Sequence, residues 1–154
     1  MNQSQELIQK FYTAFANQDS ATMASCYHKN IQFQDPAFGI LKENQVKNMW
    51  QMLIERSKGN IKIEFSDIIA NDATGFVTWI ATYNFSKTNR KVINTINASF
   101  EFKEGLMIKH TDHFDLWKWS SQAFGMKGLL LGWTPYMQQK IREQARLSLE
   151  KYEI

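Results

Sequence analysis

The chain has 154 residues, 44% hydrophobic and 14% aromatic, which suffices for one core and excludes a disordered polymer. A net charge of +3, with basic residues scattered along the chain, excludes a dedicated nucleic-acid surface. Cys26 is the only cysteine, so an intrachain disulfide and a cysteine-based zinc site are excluded as well.

Taken in chain order, residues from Gln3 to about Ala16 place Leu7, Ile8, Phe11, Tyr12 and Phe15 at helical spacing, with Ser4 as N-cap. A second, short helix runs from Asp19 or Ser20 to about Tyr27 and carries Cys26 as a small buried thiol. A short strand from Ile31 to Asp35 ends at Pro36, and Gly39 marks a turn. A third helix, Glu43 to Ser57, carries Val46, Met49, Trp50, Leu53 and Ile54 on one stripe. Gly59 closes it in the left-handed conformation.

Four longer strands follow, Ile61–Ala70, Phe76–Ser86, Lys91–Lys103 and Leu106–Asp115, joined by connections short enough for antiparallel neighbours. Helices gathered first and strands afterwards define an α+β chain. Beyond it, Leu116 to Trp133 is rich in Trp and Leu and broken by Gly125, Gly128 and Gly132. Its apolar side chains are expected to be covered. Thr134 and Pro135 then open an amphipathic helix through about Lys151. There is no repeat, linker or low-complexity segment, so residues 117–154 are assigned to the same domain as residues 1–116. The first residues lack the basic start and apolar stretch of a signal peptide, and no apolar run is of membrane-spanning length. A cytoplasmic location with no membrane partner is the expectation.

Alternation along the strands exposes the chemistry. From Leu106 to Phe114 one face reads Leu106, Ile108, His110, Asp112, Phe114, an apolar face with an imidazole and a carboxylate in its middle. Ionisable groups on a buried face need a partner, a cavity or a use. The inner faces of the neighbouring strands add Trp79, Tyr83 and Asn94, and the first strand closes on Asp35 behind Phe33. Asp112, Asp35 and His110 are the candidate catalytic groups. Tyr83, Trp79, Asn94, Phe33, Trp50 and Phe114 are the candidate substrate-binding ones. Plainer roles stay open: Asp35 as a cap on the turn at Pro36, Trp79 and Tyr83 as core aromatics, His110 and Asp112 as a structural pair. His28 and His113 fall on exposed positions. With no further inner-face histidine, no metal is expected, and no phosphate loop or nucleotide fingerprint implies a cofactor.

Phe33-Gln-Asp-Pro-Ala-Phe-Gly39 and Phe100-Glu-Phe-Lys-Glu-Gly-Leu-Met-Ile-Lys-His-Thr-Asp-His-Phe-Asp-Leu116 carry a family resemblance. The first looks like the segment that supplies the general base of ketosteroid isomerase. The second is similar to the last hairpin of limonene epoxide hydrolase. Over residues 3 to 116 the chain resembles the nuclear transport factor 2-like superfamily, in its SnoaL-like or ketosteroid-isomerase-like branch. The resemblance implies a cone-like fold, three N-terminal helices packed on a curled, mainly antiparallel sheet, with the C-terminal helical extension added. It places Asp35 at the isomerase base and Asp112 at one of the hydrolase aspartates. Phe11 and Ala98 stand where the isomerase has its two oxyanion donors, and Ala81 and Tyr83 where the hydrolase has its arginine and second aspartate. The expectation is therefore a general acid–base enzyme of isomerase, cyclase or hydrolase type, without the full family catalytic set, acting on a small apolar carbonyl compound. The alternative is a noncatalytic small-molecule binding or dimerisation domain. A homodimer is expected from the mixed outer face of Thr78, Ile80, Thr82, Ile93, Thr95 and Asn97.

Overall fold

The computed structural model describes all 154 residues. Helix α1, Gln3–Ala16, is started by Asn2, not Ser4. The Asn2 side chain accepts from the Gln5 amide, and the Gln5 side chain accepts from the Asn2 amide in return. Helix α2, Ser20–Ser25, is capped by Asp19. Strand β1, Tyr27–Asp35, begins four residues earlier than the periodicity indicates. A four-residue strand β2, Gly39–Lys42, takes the place expected to be turn only. Helix α3, Asn44–Ser57, ends with Lys58 and then Gly59 at positive φ, 51° and 82°, so two left-handed residues close it.

Strands β3 (Lys62–Ala70), β4 (Thr74–Asn84), β5 (Lys91–Lys103) and β6 (Leu106–His113) form the expected antiparallel meander. Helices α4 (Leu116–Phe124), α5 (Met126–Leu131) and α6 (Pro135–Glu153) complete the chain. No helix is long and apolar enough to cross a membrane.

The α+β class stands, but the cone-like, curled sheet does not. The six strands make one open mixed sheet in the order β2-β1-β6-β5-β4-β3, with β1 and β6 parallel and no hydrogen bonds joining β2 to β3. Both margins are built as free edges. Strand β2 has only four residues. Strand β3 carries charged Lys62 and Glu64 and an irregularity between Ser66 and Ile69, where Asp67 adopts φ 60°. Short length, charge and local twisting are the usual means of keeping a sheet edge from pairing further.

The core lies between α1, α3 and the inner sheet face, where Ile8, Phe11, Tyr12, Phe15, Trp50, Trp79 and Phe100 are buried together. A second, smaller cluster joins the C-terminal helices to the sheet through Val92, Leu116, Trp119, Ala123, Met137 and Ile141. Helix α6 also holds the β1–β2 turn, since Arg142 donates to the Pro36 carbonyl and Arg146 to those of Phe38 and Ile40. The Trp- and Leu-rich stretch is only partly covered. Leu116 and Trp119 are buried, whereas Trp117, Leu129, Leu130, Leu131 and Trp133 remain exposed. Alternation on β4 and β5 places Val77, Trp79, Ala81 and Val92, Asn94, Ile96, Ala98, Phe100 inside.

Candidate functional site

A cavity of about 560 Å³ opens between the inner sheet face, α3 and the C-terminal helices. That is within the usual size of small-molecule sites. Asp35, Trp50, Trp79, Tyr83, Asn94, Asp112 and Phe114 all line it, together with Trp119, Phe124, Met137 and Ile141 from the C-terminal segment. Seven of the nine residues singled out from the sequence thus meet at one cavity. Phe33 and His110 do not reach it; both are fully buried behind its wall. Another concavity, about 470 Å³ along α1 and α2, is lined by polar groups that are exposed or half-buried, such as Glu6, Lys10 and Thr22, with no buried polar group converging on it.

Asp112 sits on β6 at the bottom of the cavity, 2% exposed. Its Oδ1 is 2.9 Å from His110 Nε2 and accepts from Trp79 Nε1 at 3.3 Å. Behind it, His110 Nδ1 lies 2.7 Å from the Tyr27 hydroxyl, and that hydroxyl accepts from Trp50 Nε1 at 2.9 Å. Donor counting assigns the directions. The indole N–H of Trp50 can only donate, so the Tyr27 oxygen is its acceptor and the phenolic proton is free for His110 Nδ1. The remaining N–H of a neutral imidazole, on Nε2, then points to the Asp112 carboxylate. Trp50, Tyr27, His110 and Asp112 form one polarised chain ending on Asp112 Oδ1, and Trp79 adds a second donor there. Asp112 Oδ2 makes no hydrogen bond within the protein and faces the cavity.

A register irregularity on β6 precedes this chain. Glu101 pairs with Lys109 and Phe102 with Met107, so Ile108 is an extra residue on β6. Met107 thereby turns inward and is fully buried, while Leu106 and Ile108 are only half-buried, opposite to strict alternation. Past the bulge, His110 and Asp112 share the inner face as expected.

Asp35, at the end of β1, is half-buried. Its Oδ1 accepts from the backbone amides of Ala37 at 2.9 Å and Phe38 at 2.6 Å, capping the Pro36 turn, while Oδ2 has no partner within the chain. Burial pushes the Asp35 carboxyl up to about 7. The Phe38 and Ala37 amides oppose that rise, and the Asp112 charge adds to it. Tyr83, on β4, accepts from Trp119 Nε1 at 2.8 Å, which leaves its own proton to donate. Burial pushes the hydroxyls of Tyr12, Tyr27 and Tyr83 up, so all three remain protonated donors. Tyr12 is fully buried and its hydroxyl has no hydrogen-bond partner.

Tyr27, Tyr12 and Trp119 carry no distinguishing signal in the sequence. The periodicity predicts Tyr27 at a helix end, whereas it opens β1, and Trp119 lies beyond the segments that carry the family resemblance. Tyr12 is an ordinary member of an apolar helix stripe, with no signal to single it out. His28, expected to be exposed, is buried: its Nδ1 accepts from the Asn30 amide at 3.1 Å, and its Nε2 lies 3.5 Å from Glu104.

The SnoaL-like domain profile matches residues 8–110, two thirds of the chain and both strands that carry Asp35 and His110. The chain belongs to the SnoaL-like family. No curated protein matches it in sequence. Among solved structures, this SnoaL-like chain is similar to Bal32a from a soil-derived mobile gene cassette: 20% identity over 79% of this chain and 96% of that one, TM-score 0.69. It is similar to a candidate polyketide cyclase from Xanthomonas campestris pv. campestris, at 16% identity over 79% and 96%, TM-score 0.63. An LEH-like epoxide hydrolase from M. tuberculosis gives 17% identity over 83% and 92%, TM-score 0.60. At these identities the likeness is one of fold.

Proposed function

We propose that this SnoaL-like protein is an enzyme of general acid–base type acting on a small, mainly apolar carbonyl compound. The observation that carries the reading is Asp112, whose one oxygen is fixed by His110 and Trp79 while the other faces an aromatic-lined cavity. A carboxylate held in one orientation is pre-positioned to take a proton from carbon adjacent to a carbonyl. Asp35, pushed up to about 7, is the second titratable group at the cavity and returns the proton. Tyr83 and Asn94 are the donors for a developing enolate oxygen. His110 touches no cavity surface and acts as a positioning residue through Asp112. The likeness to a candidate polyketide cyclase and to an epoxide hydrolase is compatible with this class.

Exchange of α-protons for deuterium in apolar cyclic ketones such as 2-tetralone, followed by NMR, tests it. The expected outcome is protein-dependent exchange that falls by about two orders of magnitude or more in Asp112→Asn. Exchange at the wild-type rate in both Asp112→Asn and Asp35→Asn rules the reading out. The noncatalytic alternative draws support from Phe11 and Ala98, which supply no oxyanion donor, and its signature is ketone binding without exchange.

A further inference from the structure

The charges around the cavity are sorted by depth. Its buried end holds the only two acidic lining residues, Asp112 and half-buried Asp35. Its exposed end is lined by Arg56 from α3, Lys87 from the β4–β5 turn, Lys127 from α5 and Lys140 from α6. None of these four cations lies within ion-pair distance of a carboxylate. From Leu116 to Arg142 the chain has no acidic residue, and the carboxylates of α3 and α6, such as Glu55 and Glu143, form no ion pair with the four cations and do not line the cavity. Between rim and floor the walls are apolar and aromatic, including Phe114, Phe124 and Met137.

We propose that the ligand of this cavity is an apolar carbonyl compound ending in a carboxylate, with the anionic end at the rim cations and the carbonyl end toward Asp112. This rests on the acid–base reading of the same cavity and names its substrate class. Two physical arguments fix the orientation. Four exposed lining cations, none ion-paired to a carboxylate and Lys140 resting only over the Tyr136 ring at 5.6 Å, attract an anion from solution and hold it at the mouth. Two carboxylates at the low-dielectric end repel the same anion, so the reversed pose is disfavoured by like charge. A neutral apolar compound uses the walls and gains nothing from the rim. A compound with an acid at both ends meets repulsion at the floor.

Isothermal titration with 4-benzoylbutanoate and its uncharged amide, 4-benzoylbutanamide, separates the cases, because the two probes differ in charge and hardly in shape. In about 20 mM salt the carboxylate is expected to bind roughly tenfold tighter, with the advantage shrinking in about 0.5 M salt. The triple variant K87M/K127M/K140M, which keeps only Arg56, is expected to lose most of the preference, its affinity for the carboxylate falling towards that of the amide. In Asp112→Asn the preference for the carboxylate persists, since the rim is intact. Equal binding by wild type, or a preference undiminished in the triple variant, overturns the anionic-ligand inference and leaves the acid–base reading standing. Binding of neither probe overturns both.

Discussion

Asp35 performs two tasks with its two oxygens, one capping the turn at Pro36 and the other facing the cavity. The first stabilises the fold; the second places a carboxyl where its charge is poorly solvated. With a folded-state pKa of about 7 against an ordinary 3.8, the folded chain holds a proton that the unfolded chain has released across that window. The Asp35 contribution to stability is therefore fully present below about pH 4, falls as pH rises towards 7, and stays lost above it. Asp35→Asn keeps an oxygen for the Ala37 and Phe38 amides and removes the charge. Thermal melts are expected to show the variant more stable than wild type at pH 8, by on the order of 1 kcal/mol or more, with little difference at pH 4. A variant less stable than wild type at pH 8 would show that the ionised carboxylate is needed by the turn. Alternation alone made Asp35, His110 and Asp112 visible, but not this division of labour, which depends on which oxygen meets which amide. Nor could alternation reveal Tyr27, because a residue assigned to a helix end has no strand face. Only the pairing of β1 with β6 brings its hydroxyl to His110.

Among the elements, those with long and regular apolar patterns were legible and the short or irregular ones were not. α1, α3, α6 and the four-strand meander follow from periodicity. β2 has four residues and no pattern long enough to read, and the extra residue at Ile108 reverses inward and outward positions on the first half of β6. The glycines of the C-terminal segment pointed to close approach, and the structure identifies what they approach. A Cβ on Gly128 would overlap the Ser120 carbonyl, and one on Gly132 the Ser120 hydroxyl. Gly128 and Gly132 thus allow α5 and the chain after it to lie directly against α4, whose buried face carries Trp119 and Ala123 into the second core cluster. Gly128→Ala forces the two helices apart and shifts the Trp119–Tyr83 hydrogen bond with them. The expected cost is about 1–3 kcal/mol, as for other overpacked sites, read from denaturant unfolding. An unchanged midpoint would mean that α5 contributes nothing to holding α4 in place.

At the scale of the whole molecule, the cavity has walls from two sources. The sheet and α3 supply the floor and one side, within or beside the residues that match the SnoaL-like profile. Trp119, Phe124, Lys127, Met137, Lys140 and Ile141 supply the other side and the rim, all from beyond residue 116. The open sheet explains why such a wall is needed, since a sheet that does not wrap round leaves its inner face uncovered at one end. Family resemblance could place Asp35 and Asp112 but not this wall, because it stops where the wall begins. Truncation after Leu116 removes Trp119, Met137, Ile141 and Leu149 from buried positions and strips the partners of Val92. Each large apolar side chain stabilises by about 1.5–3 kcal/mol when buried, so their joint loss is comparable to the entire stability of a domain, roughly 5–15 kcal/mol. The truncated chain is expected to aggregate or to melt far below the intact protein, and to lose all affinity for apolar ketones. Differential scanning calorimetry and probe titration on both forms check this. A truncated protein that stays soluble, with unchanged melting and intact ketone binding, would show that the sheet and α3 make the cavity alone and that the C-terminal helices only rest upon it.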